Sequence, residues 1–305
     1  NYRLGQLRLD RLRQLGHTRP AVGRGQQTLL DAGATEIVEI MTPRTRMAFI
    51  DGDLPVADAI RLILDQDASL PAAVLAERGY DVVAVPVDRD VAEVLARERV
   101  EVAFNALHGR YGEDGCVQGL LEILGIPYTG AGVLGSSLAM DKWLSKGILE
   151  RSGLPTPSSI LVGEVGAPPR WDREFPVVVK PRGEGSSNGV ALVRESEGLM
   201  PAIEAARKFD SDVLIEDFVP GREVTVAILD DQALSAMEVV ALGDDFHTYE
   251  VKYTPGREEF LLPAPLGDVY DDALDLALKS HRALLAGAYS RIDLRVRPDG
   301  AMFVL

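Results

Sequence analysis

Short apolar runs alternate with helical patterns over residues 71–135 of this 305-residue chain. The runs at 80–86 and 100–104 have the length and β-branched content of buried strands. Helical spacing occurs at 72–78, 91–99 and 117–124. Strands that alternate with helices indicate a parallel sheet, so we predict an α/β part here.

Paired strands and polar turns replace this alternation after residue 155. We place a boundary between two parts near residues 130–137, where a glycine-rich turn leads into a helix that Ser136 or Ser137 caps and that ends near residue 153. Further helices are predicted at 198–208 and 271–288. Strands are predicted at 159–162, 177–179, 190–193, 213–216, 223–229, 234–240 and 290–296.

The stretch from residue 175 to residue 190 reads FPVVVKPRGEGSSNGV and joins two of these strands. Lys180 ends the first strand, and glycines and serines follow it. Glycines let backbone N–H groups approach oxygen anions, and a lysine supplies a point charge, so the pattern suits a polyphosphate. It is not the P-loop pattern, because there the lysine follows the glycines. The alternative is a β-hairpin with a flexible turn and a surface lysine.

Composition narrows the range of partners. The formal net charge is −15, from 47 acidic and 32 basic residues, which disfavours nucleic acid and anionic membranes. No apolar run approaches the roughly 20 residues of a membrane-spanning helix, and no secretory signal is visible. Cys116 is the only cysteine, so we expect no disulfide framework and a cytoplasmic location.

Charged residues at strand ends are candidates for binding. Glu216 and Glu223 flank a turn between two strands, where they can contact the base and the ribose of a nucleotide. Arg291 and Asp293 project from one side of a strand, which suits a pocket for an anion and a metal. The alternatives are ordinary strand-end acids in the first case and a same-face ion pair in the second.

For three other features, a purely structural explanation is an alternative to a binding role. His108 lies in a glycine-rich loop after a predicted strand, where α/β folds bind ligands, but a lone loop histidine is also common for structural reasons. Lys142 and Lys146 share a helix face and can be a solvated pair. The G-x-G-x-x-G pattern at 130–135 is discounted as a dinucleotide site, because no later strand ends in the acid that a ribose needs.

Residues 1–70 differ from the rest of the chain. Residues 1–27 are basic and polar, and we expect a poorly packed start. The segment IMTPRTRM and the following D-x-D-x-P pattern and helix, within 35–66, resemble the opening of a CBS domain from haemolysin-type or magnesium-efflux proteins. The resemblance covers less than half of such a domain, so a regulatory adenine-nucleotide site here is not favoured. A nucleotide-sensing module built on 28–70 is the rival of another class.

From about residue 71 to residue 305 the chain resembles D-alanine–D-alanine ligases of the ATP-grasp superfamily. The resemblance rests on six segments in the family's order: ALHGRYGEDGCVQGLLEILGIPYTG, AMDKWLSK, VVVKPRGEGSSNGV, VLIEDFVPGREVTVAIL, YEVKYTPG and SRIDLRV. It implies an α/β fold of ATP-grasp architecture, with an atypical segment at 1–70. An N-terminal parallel-sheet domain at 71–135, a central α+β domain at 136–215 and a C-terminal α+β domain at 216–305 are expected.

The resemblance also implies contacts to ATP and to Mg²⁺ or Mn²⁺. Lys142 and Lys180 would hold the α- and β-phosphates, and Lys252 would approach the γ-phosphate. The implied contacts to adenine, ribose and metal are Glu216 and Val219 for adenine, Glu223 for ribose and Asp293 for the metal.

For the two D-alanine substrates, the resemblance implies that Ser186 and Tyr253 close around the first molecule. Arg291 would face the developing oxyanion, and His108 would lie near the second substrate. The implied reaction is ATP-dependent ligation through an acyl phosphate, for peptidoglycan precursor synthesis in a possible homodimer. Tyr253 is expected to favour D-alanine over D-lactate. The alternatives are D-serine as second substrate, another ATP-grasp carboxylate–amine ligase, or a non-catalytic nucleotide-binding module.

Two departures from the family pattern affect these expectations. No glutamate before Ala72 matches the residue that binds the first amine, and the chain ends before the family's Glu-x-Asn metal ligands. On this basis we expect a truncated or chimeric copy that binds ATP weakly and does not turn over.

Overall fold

The computed structural model describes residues 75–77, 79–163, 172–242, 254 and 256–305. The predictions for residues 1–70, including the CBS-like stretch, lie outside these described residues, as do those for Lys252 and Tyr253. The described chain forms a mixed α and β structure with two antiparallel sheets and a smaller helical part before them.

The part before residue 133 packs two helices on a small apolar core. These helices are α1 (Val91–Arg97) and α2 (Cys116–Leu124). Val85, Leu95 and Leu121 form the centre of this core and are almost completely buried. Among the described residues, the predicted parallel pairing is reduced to one bridge, between Ala103 and Tyr128. The apolar runs are buried only in part, because Val85 and Ala103 are fully buried whereas Val82 and Val83 are half-buried, and burial alone does not supply a ladder of hydrogen bonds.

Two short helices follow, where the sequence predicted one helix capped by Ser136 or Ser137. They are α3 (Val133–Met140) and α4 (Lys142–Arg151). This prediction was wrong because Gly132 precedes the first helical residue and Asp141 interrupts the helix with an extended backbone. The Asp141 carboxylate accepts a hydrogen bond of 3.0 Å from the Leu144 N–H, so it caps α4.

The central sheet has four antiparallel strands in the order β1-β4-β2-β3. Its strands are β1 (Ser159–Val162), β2 (Val177–Pro181), β3 (Ala191–Val193) and β4 (Val213–Asp217), and helix α5 (Leu199–Ala206) covers one face. Val177, Val179 and Ile215 pack against Ile203 of α5. Lys180 does not end β2 as predicted, because Lys180 and Pro181 both pair with β4 and are both buried.

The C-terminal sheet has five antiparallel strands in the order β7-β6-β5-β8-β9. Its strands are β5 (Arg222–Leu229), β6 (Gln232–Ala241), β7 (Glu258–Leu261), β8 (Tyr289–Val296) and β9 (Met302–Val304). The sequence analysis did not predict β7. The longest pairing joins β5 to β8, from Arg222 opposite Val296 to Leu229 opposite Tyr289.

Helix α6 (Tyr270–Ala283) covers one face of this sheet. Its buried side includes Ala273, Leu276 and Ala277, which pack on Val224 and Leu294 of the sheet. The helix is shorter than the predicted 271–288 at its C-terminal end. No helix in the described part of the chain is long and apolar enough to cross a membrane.

Truncation of Ile203 to alanine is expected to destabilise the central sheet by about 2 to 5 kcal/mol, because it leaves a cavity under β2 and β4. The side chain of Ile203 is fully buried, whereas its neighbour Glu204 is exposed. Amide hydrogen exchange of β2 and β4 measures the change, with Glu204→Ala as the matched control. Equal protection in the two variants would contradict the assignment of Ile203 to this core.

Candidate nucleotide and substrate site

One cleft of about 490 Å³ lies where the three parts of the described chain meet. The first part contributes Asn105 and His108, and the central sheet contributes the loop between β2 and β3. The C-terminal sheet contributes side chains of β5 and β8. Nine of the predicted site residues line this cleft: His108, Lys142, Lys180, Ser186, Glu216, Val219, Glu223, Arg291 and Asp293.

A buried carboxylate lies between two lysines at the base of the cleft. Glu216 on β4 and Lys180 on β2 share one face of the central sheet, because Glu216 pairs with Val178. The Lys180 Nζ lies 2.5 Å from Glu216 Oε1, and the Lys146 Nζ of α4 lies 2.9 Å from Oε2. The prediction that Lys180 and Glu216 face one cleft is confirmed. The solvated pair suggested for Lys142 and Lys146 is wrong for Lys146, which is 3% exposed.

This arrangement keeps Glu216 ionised away from water. Burial by itself raises the pKa of Glu216, but the charges of Lys180 and Lys146 outweigh it, so the pKa lies below its ordinary value. Burial lowers the pKa of Lys146, and the Glu216 carboxylate acts in the opposite direction. A contact between Glu216 and an adenine amine stays a prediction.

Lys142 reaches the loop between β2 and β3 from the N-terminus of α4. Its Nζ donates to the carbonyl oxygen of Glu184, and its backbone N–H donates to the carbonyl oxygen of Arg182 over 3.1 Å. Lys142 and Lys180 therefore approach the cleft from a helix and a strand that are distant in sequence. Both ammonium groups line the space next to the glycine and serine loop.

Arg182 fastens the base of this loop, and the sequence analysis did not identify it. Its guanidinium forms a fork with the Asp141 carboxylate, with an Nη2–Oδ2 distance of 2.7 Å, and also donates to Asp212 over 2.9 Å. These two carboxylates raise the pKa of Arg182 above its ordinary value. The next residue, Gly183, donates its backbone N–H to Asp210 over 2.8 Å. A basic residue two positions after Lys180 was the only signal in the sequence.

Ser186 and Ser187 lie at the tip of the loop with left-handed backbones, at φ 55° and 57°. Such a conformation is uncommon for residues other than glycine. Further along, Gly189 has φ 66°, and a Cβ there would lie 2.7 Å from the Phe209 ring. The loop therefore follows a defined path, and Ser186 lines the cleft as predicted.

Arg291 and Asp293 of β8 form the same-face ion pair that the sequence analysis kept as an alternative. Arg291 Nε lies 2.9 Å from Asp293 Oδ1, and Nη2 lies 2.9 Å from Oδ2. Thr225 of β5, which the sequence analysis missed, donates to Asp293 Oδ1 over 2.8 Å. The Asp293 charge raises the pKa of Arg291, although burial opposes this. Both groups line the cleft.

A metal at this position has a limited set of protein ligands in the described part of the chain. No group of three or more His, Cys, Asp and Glu side chains there is arranged to hold a metal ion. Asp293 offers the hard oxygen that Mg²⁺ prefers, and Mg²⁺ on phosphates often uses only one or two carboxylates besides water. Asp293 therefore fits a phosphate-bound Mg²⁺, although Arg291 and Thr225 already contact its oxygens.

Glu223 and Val219 line the cleft together with two side chains that sequence reasoning missed, Phe218 and Arg295. The Arg295 guanidinium lies 3.9 Å from Glu223 Oε2 and 5.6 Å from the centre of the Phe218 ring. Burial lowers the pKa of Arg295, and Glu223 opposes this shift. An aromatic ring beside a partly exposed carboxylate suits a base and a ribose.

His108 lies on the first part of the cleft, in a loop with several internal contacts. Its Nδ1 is 4.0 Å from Glu113 Oε1, and the Glu113 carboxylate also accepts from the Gly109 N–H over 2.6 Å. Asn105 Nδ2 donates to the carbonyl oxygen of Gly112 over 2.9 Å. These contacts hold the loop against the cleft, which places His108 at its edge.

The chain resembles known proteins over most of its length. Family models described as D-ala D-ala ligase N-terminus and D-ala D-ala ligase C-terminus match residues 70–131 and 170–305. A D-alanine–D-alanine ligase of Geotalea uraniireducens (strain Rf4) is 46% identical over 245 residues, which cover 79% of this chain and 78% of the relative. The CBS-like resemblance of 35–66 stays a prediction.

Two solved structures share the fold. The D-alanine–D-alanine ligase of Bacillus anthracis superimposes with a TM-score of 0.71 at 31% identity, covering 82% of this chain and 86% of that chain. The structure of that ligase complexed with ATP gives a TM-score of 0.69 at 28% identity, covering 82% of this chain and 85% of that chain. The expected ATP-grasp architecture is confirmed by these structures.

The ion pair of Asp141 with Arg182 leads to a prediction about acid stability. Burial raises the pKa of Asp141, but Arg182 and the Leu144 N–H outweigh this and lower it below its ordinary 3.8. The resulting stabilisation is complete above the ordinary pKa and is lost as the pH falls through the lowered value. Asp141→Asn does not titrate, so its urea midpoint is expected to fall less than that of the wild type between pH 7 and about pH 3.

The exposed Asp268 supplies the control for this measurement, because Asp268→Asn is expected to follow the wild type. If Asp141→Asn loses as much stability in acid as the wild type does, the ion pair makes no such contribution.

Proposed function

This chain belongs to the D-alanine–D-alanine ligase family, and we propose that it joins two D-alanine molecules at the cleft described above, with hydrolysis of ATP to ADP and phosphate. The observation that carries this assignment is that nine predicted residues from three parts of the chain line one cleft. Lys142 and Lys180 line it from α4 and β2, and Arg291 and Asp293 line it from β8. This is the set of groups that phosphoryl transfer to a carboxylate requires.

ATP would lie along the central sheet. Lys142 donates to the Glu184 carbonyl oxygen in the glycine and serine loop and Lys180 lines the same cleft, so we place the α- and β-phosphates beside these two lysines. Val219 and Phe218 would contact the adenine, and Glu223 would accept from the ribose hydroxyls. Lys252 at the γ-phosphate, and Ser186 with Tyr253 around the first D-alanine, remain part of the proposal.

The reaction then proceeds in two steps. A carboxylate oxygen of the first D-alanine attacks the γ-phosphorus, the bond to ADP breaks, and an acyl phosphate forms. The amine of the second D-alanine attacks the carbonyl carbon, phosphate leaves, and the amine loses a proton. Phosphorylation is needed because a carboxylate repels a nucleophile and has no good leaving group. Closure of the cleft would keep water away from the acyl phosphate.

Arg291 would donate to the oxyanion of the tetrahedral intermediate, and Asp293 orients its guanidinium. Preorganised donors of this kind stabilise charge that develops only in the transition state. Mg²⁺ or Mn²⁺, when bound, supplies positive charge that offsets the charge of the phosphates, and Asp293 is the residue that would hold it. His108, at the edge of the cleft, would contact the second D-alanine.

We propose domains at 71–135, 136–215 and 216–305, which the start of α3 at Val133 and the two separate sheets support. The dipeptide is a precursor for peptidoglycan, so the reaction would take place in the cytoplasm, where ATP is available. A homodimer stays a prediction.

Incubation with ATP, Mg²⁺ and D-alanine tests the function. The proposed activity gives phosphate release that depends on D-alanine and a dipeptide product identified by mass spectrometry, whereas a chain limited by the two departures from the family pattern binds ATP weakly and gives neither. Binding of ATP without D-alanine-dependent phosphate release would instead support the non-catalytic nucleotide-binding module. In a mixture of D-alanine and D-serine, preferential formation of the mixed dipeptide would support the D-serine alternative.

Replacement of Arg291 by alanine is expected to lower kcat by roughly 10²- to 10³-fold, which is the effect of losing one oxyanion donor. The affinity for a non-hydrolysable ATP analogue is expected to stay within about twofold, because Arg291 acts on the acyl group. Arg297→Ala is the control, since Arg297 is exposed at the end of β8. A loss of analogue affinity with unchanged kcat would refute the oxyanion role.

A further inference from the structure

Lys146 is a buried cation that lies behind the wall of the cleft. It is one helical turn after Lys142 on α4, and only 3% of its surface is exposed. Its ammonium contacts three oxygen atoms: Glu216 Oε2 at 2.9 Å, Thr156 Oγ1 at 2.9 Å and the Pro157 carbonyl at 2.7 Å. The contacts to Thr156 and Pro157 are hydrogen bonds, and the contact to Glu216 is an ion pair.

The contacts of Lys146 connect the elements that carry the site. Thr156 donates in turn to the carbonyl oxygen of Val304 on β9 over 2.9 Å. Strand β9 pairs with β8, the strand of Arg291 and Asp293. The ammonium of Lys146 therefore links α4 and β4 to an edge of the C-terminal sheet. The connection runs behind the cleft and leaves Lys146 out of contact with a bound molecule.

The charges in this cluster decide what the cleft can bind. Glu216 contacts both Lys146 and Lys180, so one carboxylate and two ammonium groups leave one net positive charge. If Lys146 were neutral, the Glu216 charge would be balanced by Lys180 alone, and the Lys180 ammonium would have no surplus charge for a phosphate. Electrostatic effects of this kind are strong in a buried site, where the effective dielectric constant is low.

We propose that Lys146 is a positioning residue for nucleotide binding, which acts through Glu216 to leave the Lys180 ammonium available to the ATP phosphates. This inference rests on the proposed function. Lys146 does not contact the nucleotide in this scheme. It holds Glu216 from behind, and Glu216 in turn holds Lys180 at the wall of the cleft.

Lys146→Met, which keeps the length of the side chain and removes its charge, tests the proposal. Calorimetry without D-alanine measures the Kd of a non-hydrolysable ATP analogue. We expect the Kd to rise by about tenfold or more, as for the loss of a buried charged partner. Lys146→Arg keeps the charge and is expected to restore most of the affinity. Lys279→Met removes an exposed lysine and is expected to leave the Kd unchanged.

A double-mutant cycle separates positioning from general stabilisation. If Lys146 acts through Glu216, Lys146→Met in a Glu216→Gln background is expected to change the Kd by less than about twofold. An equal change in both backgrounds would show that Lys146 acts independently of Glu216 and would overturn the proposal. An unchanged Kd in Lys146→Met would overturn it as well.

Thr156→Val is a second variant that tests the proposal if Lys146→Met gives no folded protein. It removes one acceptor of Lys146 and the link to Val304, and leaves all charges in place. We expect the Kd of the analogue to rise by about threefold, in line with loss of one hydrogen bond, and an unchanged Kd would overturn the proposal. If the wild type itself does not bind the analogue, the proposed function fails rather than this inference alone.

Discussion

The contact of Glu216 with Lys180 and Lys146 is the interaction on which the rest of the site depends. A carboxylate that is almost completely buried is stable only when cations offset its lost hydration. Here the two cations come from β2 and α4, so satisfying one charge brings a strand and a helix into fixed positions. The same two elements carry the lysines that line the cleft. The cost of burying Glu216 is thus offset by contacts that also organise the phosphate site.

A second network of ion pairs lies directly after β2. Arg182 lies between Asp141 and Asp212, which belong to the start of α4 and the start of β4. The backbone of Asp141 ends α3, and its carboxylate caps α4 and fastens the glycine and serine loop through Arg182. The loop is therefore anchored at its base, while Ser186 at its tip lines the cleft. A loop with a fixed base and an accessible tip is suited to close over a ligand.

The C-terminal sheet supplies polar groups to the cleft, because alternate residues of a strand project from the same side. Arg291 and Asp293 are two residues apart on β8, so they project from the same side. Thr225 reaches Asp293 because β5 pairs with β8 in the register that sets these residues opposite each other. This ordered trio fixes the direction of the Arg291 guanidinium before any substrate is present. Preorganisation of this kind is what electrostatic stabilisation of a developing charge requires.

From the sequence, local period and turn residues predicted most of the strands and the loop between β2 and β3, and the resemblance to the ligase family named the nine residues that line the cleft. Only the tertiary structure decided that Lys146 is buried against Glu216, that Asp141 divides a helix, and that Arg182 is shared by two acids. Such contacts join side chains far apart in the chain, and local pattern carries no information about which of them meet.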